Sequence, residues 1–514
     1  MTALSPSTDA TRETMVLANG DIVTMDPRAP LASCVVVVNG VIAAVGDHSI
    51  IQRHAPNARI VDLNGATVVP GFIDTHVHGG VTGLGMLACD LTGTATVSDV
   101  LDRVAGAANG QPADGLLVAS GFDPGAVAER RFPTALELDA AAGNRAVYLM
   151  GQTGHESAVN AAAAKRIVTD SKPIEAGTLT GEDNTKAFVQ LWEQFGRQVG
   201  VREALVTVMG AAAEGGITTV HSMDPLYVTE LLATHAGEWP INVVPYAETF
   251  DVKAVMDLGL RQVGGCGTVA LDGDVDPHTA ALLAPYSDDP STSGVLYHHD
   301  DVVRSFVTAA EASQIQVALH CVGSGAIEQL LDAYEAVFAG FPDRDRRHRV
   351  EHFEIPEPGQ AERAARLAVA VAVQPAFNYF WPSDTGYPVA VGVARAERVD
   401  PIRTLIEAGV RTSFGSDSPV TPLRPLLGMH AAVNHSNPTE RVDAATALRA
   451  FTSDAAWFSF DEDRRGSIKQ GYDADLTVLG ANPLSAAASE IADIAIHATI
   501  VRGRVEFSDG RFFS

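Results

Sequence analysis

The chain has 514 residues, with 63 Asp and Glu against 36 Lys and Arg and a formal net charge of −27. That acidity excludes a polyanion-binding surface as the default, and 46% hydrophobic with 19% charged residues exclude a disordered chain. Apolar stretches break well before ~18 residues, the N-terminal MTALSPSTDATRET lacks an apolar core, and Cys34, Cys89, Cys266 and Cys321 form no CxxC pair. We therefore expect a cytoplasmic globular protein with reduced thiols, bound neither to membrane nor to nucleic acid.

Residues 15–70 read as short strands, VLANGDIVTM, SCVVVVNGVIAAVGD and ARIVDLNGATVVPGF, with Asn-Gly turn signals at 19–20, 39–40 and 64–65. ADLTVLG at 474–480 and IHATIVRGRVEFSDGRFF at 496–513 share that texture. Two β-rich ends predict one small β-sandwich built from both termini, residues 1–65 with 465–514. Between them, at 66–464, apolar runs alternate with Ala-rich helical stretches such as 203–216 and 301–314. The runs are 66–78, 217–223, 241–248, 267–273, 315–323, 348–355, 370–377 and 411–420, the number that closes an α/β TIM-like (β/α)8 barrel. A long insertion, 79–200, follows the first run and holds two further strand-like pieces, GLLVASGFD at 115–123 and AVYLMGQTGH at 146–155. Leaving the first strand and returning before the second, it is expected beside the barrel mouth as a lid or an oligomer contact.

The sharpest chemical signal is GFIDTHVH at 71–78. Residues i and i+2 of a strand face the same way, so His76 and His78 can present two imidazoles to one point. His320 closes QVALH, His352 closes RVEH and Asp417 closes RTSFGSD. Any one of these alone reads as a packed or solvated side chain. Four His and one Asp at the C-terminal ends of separate strands, where barrels build their sites, form an N/O-donor set for a divalent metal, zinc first, with iron or manganese as alternatives.

These motifs, with QTGHESAVN at 152–160, LDGDVDPHTAAL at 271–282, LHCVGSGAIEQLLDAYE at 319–335, FGSDSPV and RRGSIKQGYDADLTVL at 464–479, resemble the amidohydrolase superfamily, within it the branch that includes N-substituted formamide deformylase. The resemblance implies a barrel with a small β-domain and hydrolysis at carbon attached to nitrogen or oxygen. It further implies His76, His78, His320 and His352 as metal ligands, with Asp417 as ligand and proton acceptor. Two-metal members place a bridging Lys at the end of the fourth strand, four residues before the Asp of an Asp-Gly pair. Here that position is Thr268. A neutral hydroxyl cannot hold two cations together, so one ion is favoured over two.

Further candidates carry plainer alternatives. His155 could touch substrate from the insertion or be a loop His, and His221 could line the pocket or be satisfied by packing. Asp272 and His278 could contact substrate or replace the missing Lys, while Trp381 could wall an apolar pocket or simply pack. The leading function is a metal-dependent hydrolase of an amide, N-substituted formamide, carbamate or cyclic amide, by attack of metal-bound hydroxide with Asp417 as general base. A lyase, isomerase or cyclase on the same fold is the alternative, and a binding protein with a decayed site comes third. The partner expected is a small-molecule substrate, and a homo-oligomer is compatible with the sequence.

Overall fold

The computed structural model describes residues 14–513 except 56, 57, 111, 113, 144, 170 and 171. Its centre is an eight-stranded parallel sheet formed by β1 (Phe72–Val77), β2 (Ile217–Asp224), β3 (Asn242–Ala247), β4 (Gln262–Gly265), β5 (Gln316–Gly323), β6 (Arg349–Ile355), β7 (Ala370–Val373) and β8 (Thr412–Phe414). The strands neighbour one another in chain order. The ring is nearly closed: beyond β8, the Asp417 N–H donates to the His76 carbonyl (2.8 Å) and the His78 N–H to the Ser418 carbonyl (3.0 Å). Every residue of β1, β2, β5 and β6 is buried, because strands wrapped outside by helices and filled inside by side chains have no wet face. The largest apolar cluster joins this ring to helices Val201–Glu214, Asp300–Ala312 and Ser324–Phe338.

Seven of the eight expected strands coincide with their predicted runs, six lying within them and Ile217–Asp224 running one residue past 223. The fourth does not: the strand is Gln262–Gly265, whereas 267–273 forms a 3-10 turn at Gly267–Val269 and then a loop across the barrel end. Apolar Val269 and Leu271 are buried there by that loop rather than by a pleat. The true strand, QVGG, is weak in β-propensity because crowding imposes its glycines. At Gly264, with φ of +117°, a Cβ would meet the Ala318 carbonyl oxygen at 1.7 Å.

A second eight-stranded sheet draws on both ends of the chain. Leu476–Leu479, Ile496–Val501 and Arg504–Ser508 join Thr67–Pro70, which lies beside Thr14–Val23. Asn39 turns Leu31–Val38 back onto Val41–Gly46 with φ of 52°. Asn19 instead sits in a bulge inside a single strand, so the first Asn-Gly signal marks no hairpin.

The insertion carries a third sheet of five strands, Cys89–Asp90, Leu116–Phe122, Ala146–Gly151, Glu156–Val159 and Gly177–Thr180. Alternate residues go to opposite faces. Leu116, Val118 and Tyr148 pack with Leu191 and Trp192 of helix Gly181–Val199, while Leu117, Ala119 and Val147 pack with Val100 and Val104 of helix Val97–Asn109. Its Thr153 and His155 reach the mouth of the barrel. Among the described residues, no helix is long and apolar enough to cross a membrane.

Candidate metal centre

His76 and His78, at the end of β1, converge with His320 of β5, His352 of β6 and Asp417 beyond β8. A sixth group, missed in the sequence, joins them. The Cys266 sulfur, immediately after β4, lies 3.7 Å from His76 Nε2, 3.4 Å from His320 Nδ1 and 3.8 Å from His352 Nε2. It belongs to two potential ligand sets, one with His76 and His78, the other with His320 and His352. Thr268 is exposed and bonds the Glu248 carbonyl. The fourth-strand position therefore belongs to Cys266, and the argument for a single ion, which rested on a neutral hydroxyl, loses its premise.

The donor set fits a metal. Nitrogen and sulfur ligands at roughly 2.1 and 2.3 Å on one tetrahedral ion stand about 3.5 Å apart, near the Cys266 distances above. Asp417 Oδ1 lies 3.2 Å from His76 Nε2 and 3.0 Å from His78 Nε2, yet it has no aligned hydrogen bond. A buried carboxylate oxygen facing nitrogens without a shared proton is what coordination to a common cation leaves behind.

The surroundings orient the rings. His76 Nδ1 meets Glu351 Oε2 at 2.6 Å, His78 Nδ1 donates to the Met223 carbonyl at 3.2 Å, and His320 Nε2 donates to the Gly273 carbonyl at 3.2 Å. Each contact leaves the other ring nitrogen facing the centre. Glu351 is held by the fully buried Arg349, whose guanidinium also donates to the Thr75 carbonyl at 2.8 Å. The Cys266 N–H donates to Glu248 Oε1 at 3.1 Å. Burial pushes the Cys266 thiol up, but the imidazoles of His320 and His78 outweigh it and bring it down to about 6. Burial likewise raises Asp417, yet His76 and His78 hold its carboxyl well below the usual range. Backbone shape contributes too: His352, Phe353 and Asp417 have φ of 70°, 57° and 56°, sparsely populated values that concentrate where a fold imposes a side-chain direction.

Two cavities of about 190 and 110 Å3 meet at His155, His320 and Asp417. His155 lines both, its ring 5.7 Å from that of His320. Trp381 lines the larger one. The other secondary candidates stand elsewhere. His221 is buried inside the barrel, stacked on Tyr246, and accepts a hydrogen bond from Arg349 at 3.0 Å; burial and that guanidinium press its pKa well below the ordinary value. Asp272 accepts from the N–H groups of Val322, Gly323 and Ala281, so its oxygens fasten backbone rather than a metal. Its burial raises it to about 8. His278 pairs with Asp288 at 2.8 Å, outside both cavities. Neither Asp272 nor His278 replaces the missing Lys.

The sequence profile of the amidohydrolase family matches residues 59–507. The chain is similar to YtcJ of Bacillus subtilis, 28% identical over 528 residues that cover 95% of this chain and 98% of that one. It is also similar to the N-substituted formamide deformylase of Arthrobacter pascens, 26% identical over 543 residues, covering 96% and 98%. Among solved structures, an uncharacterized metal-dependent hydrolase from Pyrococcus furiosus superposes with a TM-score of 0.74 at 26% identity, over 92% of this chain and all of that one. With the profile spanning most of the sequence and a barrel whose strand ends converge on a metal-type donor set, this chain belongs to the amidohydrolase family.

Proposed function

We propose that this protein is a metal-dependent hydrolase of a C–N bond in a small molecule: an amide, N-substituted formamide, carbamate or cyclic amide. The observation that carries the reading is Asp417 Oδ1, close to His76 and His78 yet without an aligned hydrogen bond, among four imidazoles and a thiol at the C-terminal ends of barrel strands. The relatives' own names, a formamide deformylase and a metal-dependent hydrolase, support the same class. In this reading His76, His78, Cys266, His320, His352 and Asp417 hold divalent metal, zinc first. The Cys266 thiolate supplies the negative charge that two neighbouring cations need, so the site has capacity for two ions.

The metal, when bound, acidifies a water and polarises the substrate carbonyl. The remaining work belongs to side chains. Asp417 takes the proton of the attacking water and delivers it to the leaving nitrogen as the new C–O bond forms and the C–N bond breaks. Glu351, fixed by Arg349, keeps His76 in one tautomer and orientation and is a positioning residue. His155 closes the site from the insertion, where its ring can contact the substrate carbonyl or the leaving group.

The test is release of amine, formate or ammonia by zinc-loaded protein over a panel of N-substituted formamides, anilides, carbamates and lactams. Asp417→Asn is expected to lower turnover by about 10^3-fold, the scale of a lost general base, with metal content measured alongside. Near-normal turnover by the variant with metal present would remove Asp417 as the base. No hydrolysis by metal-replete protein anywhere in the panel would remove the reading.

A further inference from the structure

The arm of the larger cavity beyond His352 takes no part in bond cleavage, yet its lining has a pronounced chemical character. Asp274, Asp276 and Glu354 face it together with Phe377, Trp381 and Tyr387, and none of its lining residues is Lys or Arg. Glu354 is 2% exposed. Its Oε1 accepts the Tyr387 hydroxyl, which leaves Oε2 to face the cavity, where it is not sealed from water. The aromatic wall begins at the metal centre itself. Phe377 lies parallel to the His352 ring at 6.1 Å, and Trp381 meets Phe377 edge-on at 5.7 Å.

We infer that this arm binds a cationic group of the substrate, a protonated amine or amidinium, which Glu354 receives through N–H donors and the aromatic faces shield from water. The inference deepens the hydrolase reading and rests on it. Glu354 lines the cavity and its Oε2 is open to water there, so a ligand N–H gains by exchanging that water for a charge-assisted hydrogen bond. A neutral donor would satisfy Oε2 but would leave the neighbouring carboxylates unbalanced. An anionic tail would be repelled by them. Only a cation meets the acids and also gains from ring faces, which attract positive charge. The net charge of −27 adds a long-range attraction of the same sign.

The test compares phenethylammonium with its neutral isostere 2-phenylethanol, by calorimetry on metal-loaded protein. The ammonium is expected to bind about 10-fold tighter or better, the scale of a charge-assisted hydrogen bond in a partly dry pocket. Glu354→Gln, checked for folding by circular dichroism, is expected to abolish the preference. Asp276→Asn, at an exposed position, is expected to reduce it about twofold, as for a screened charge. Equal or tighter binding of the alcohol overturns the inference, as does a preference that survives Glu354→Gln. If Glu354→Gln does not fold, a preference unchanged in both Asp276→Asn and Tyr387→Phe overturns it instead. The two readings fail separately. Hydrolysis of formamides indifferent to tail charge keeps the hydrolase and removes the cation subsite, whereas ammonium selectivity without any amide hydrolysis does the reverse.

Discussion

Cys266 belongs to two of the three donor triads, one with His76 and His78 and one with His320 and His352, whereas the third, His76 with His352 and Asp417, does not need it. Removing it should therefore divide the centre rather than empty it. Cys266→Ala is expected to lower metal from about two ions per chain to about one, read by elemental analysis after saturation, because two cations without a shared anion repel strongly. Wild-type protein that saturates at one ion, or a Cys266→Ala variant that still holds two, would show that the thiolate is not a bridge. The other five donors were legible because each ends a β-rich run, and period-2 geometry says where a strand-end side chain points. Cys266 was hidden behind the misplaced fourth strand: with the strand drawn at 267–273, residue 266 precedes it instead of ending it. Arg349 and Glu351 were hidden for a different reason. Two residues apart on β6, they face the barrel interior together, but the sequence alone does not reveal that His76 of β1 lies across from them.

Elements are fixed to one another here by buried ion pairs as well as by apolar packing. Glu311, near the end of helix Asp300–Ala312, receives Arg344 at 2.6 Å, Arg346 at 2.8 Å and His348 at 3.2 Å, all from the segment that leads into β6. It thereby sets how β6, and with it His352, enters the barrel. Burial alone would raise the Glu311 carboxyl, but His348 and Arg344 outweigh it and bring it from 4.5 down to about 2. A carboxyl lowered by folding stabilises the fold above its unfolded pKa and loses that contribution as pH falls through the folded value. Glu311→Gln is therefore expected to destabilise by about 2 kcal/mol at neutral pH, since it removes the buried carboxylate on which Arg344, Arg346 and His348 converge. The difference from wild type should shrink between about pH 4.5 and pH 2, as acid protonates wild-type Glu311. Denaturant unfolding at several pH values reads it, and a difference that is absent at neutral pH, or grows on acidification, would refute the assignment. Elements defined by hydrophobic period were readable in the sequence, including seven barrel strands and the two strands of the insertion at Leu116–Phe122 and Ala146–Gly151. Among the barrel strands the one that was not readable, β4, has residues that answer to a neighbouring backbone rather than to a pleat, and the short insertion strands Cys89–Asp90, Glu156–Val159 and Gly177–Thr180 offered too few residues for a period to show.

Over the whole molecule, the donor atoms come from five different strand ends spread between residues 76 and 417, so a metal bound among them links parts of the ring that the chain itself joins only through long excursions. The weakest part of that ring is the seam between β8 and β1. β8 is three residues long, and the seam is held beyond it by the amide bonds of Asp417 to His76 and His78 to Ser418, with Asp74 Oδ1 accepting the Ser416 N–H at 2.9 Å. His76, His78 and Asp417 are proposed metal ligands and flank this seam on both sides. Binding to the folded ring alone stabilises it by mass action, about 4 kcal/mol when free metal exceeds its dissociation constant about a thousandfold. Chelation should withdraw that contribution where the ligands are, not uniformly, because the terminal sheet and the sheet of the insertion carry their own apolar cores. Hydrogen exchange followed by mass spectrometry, with and without a chelator, is expected to show faster exchange in peptides covering 74–78 and 414–418, with little change in 31–46 or 146–159. Restoring zinc should restore protection at the seam. Equal exchange there in metal-free and metal-loaded protein, with the metal content of both verified, would mean that the cluster does not close the barrel and that backbone bonds alone hold β8 to β1.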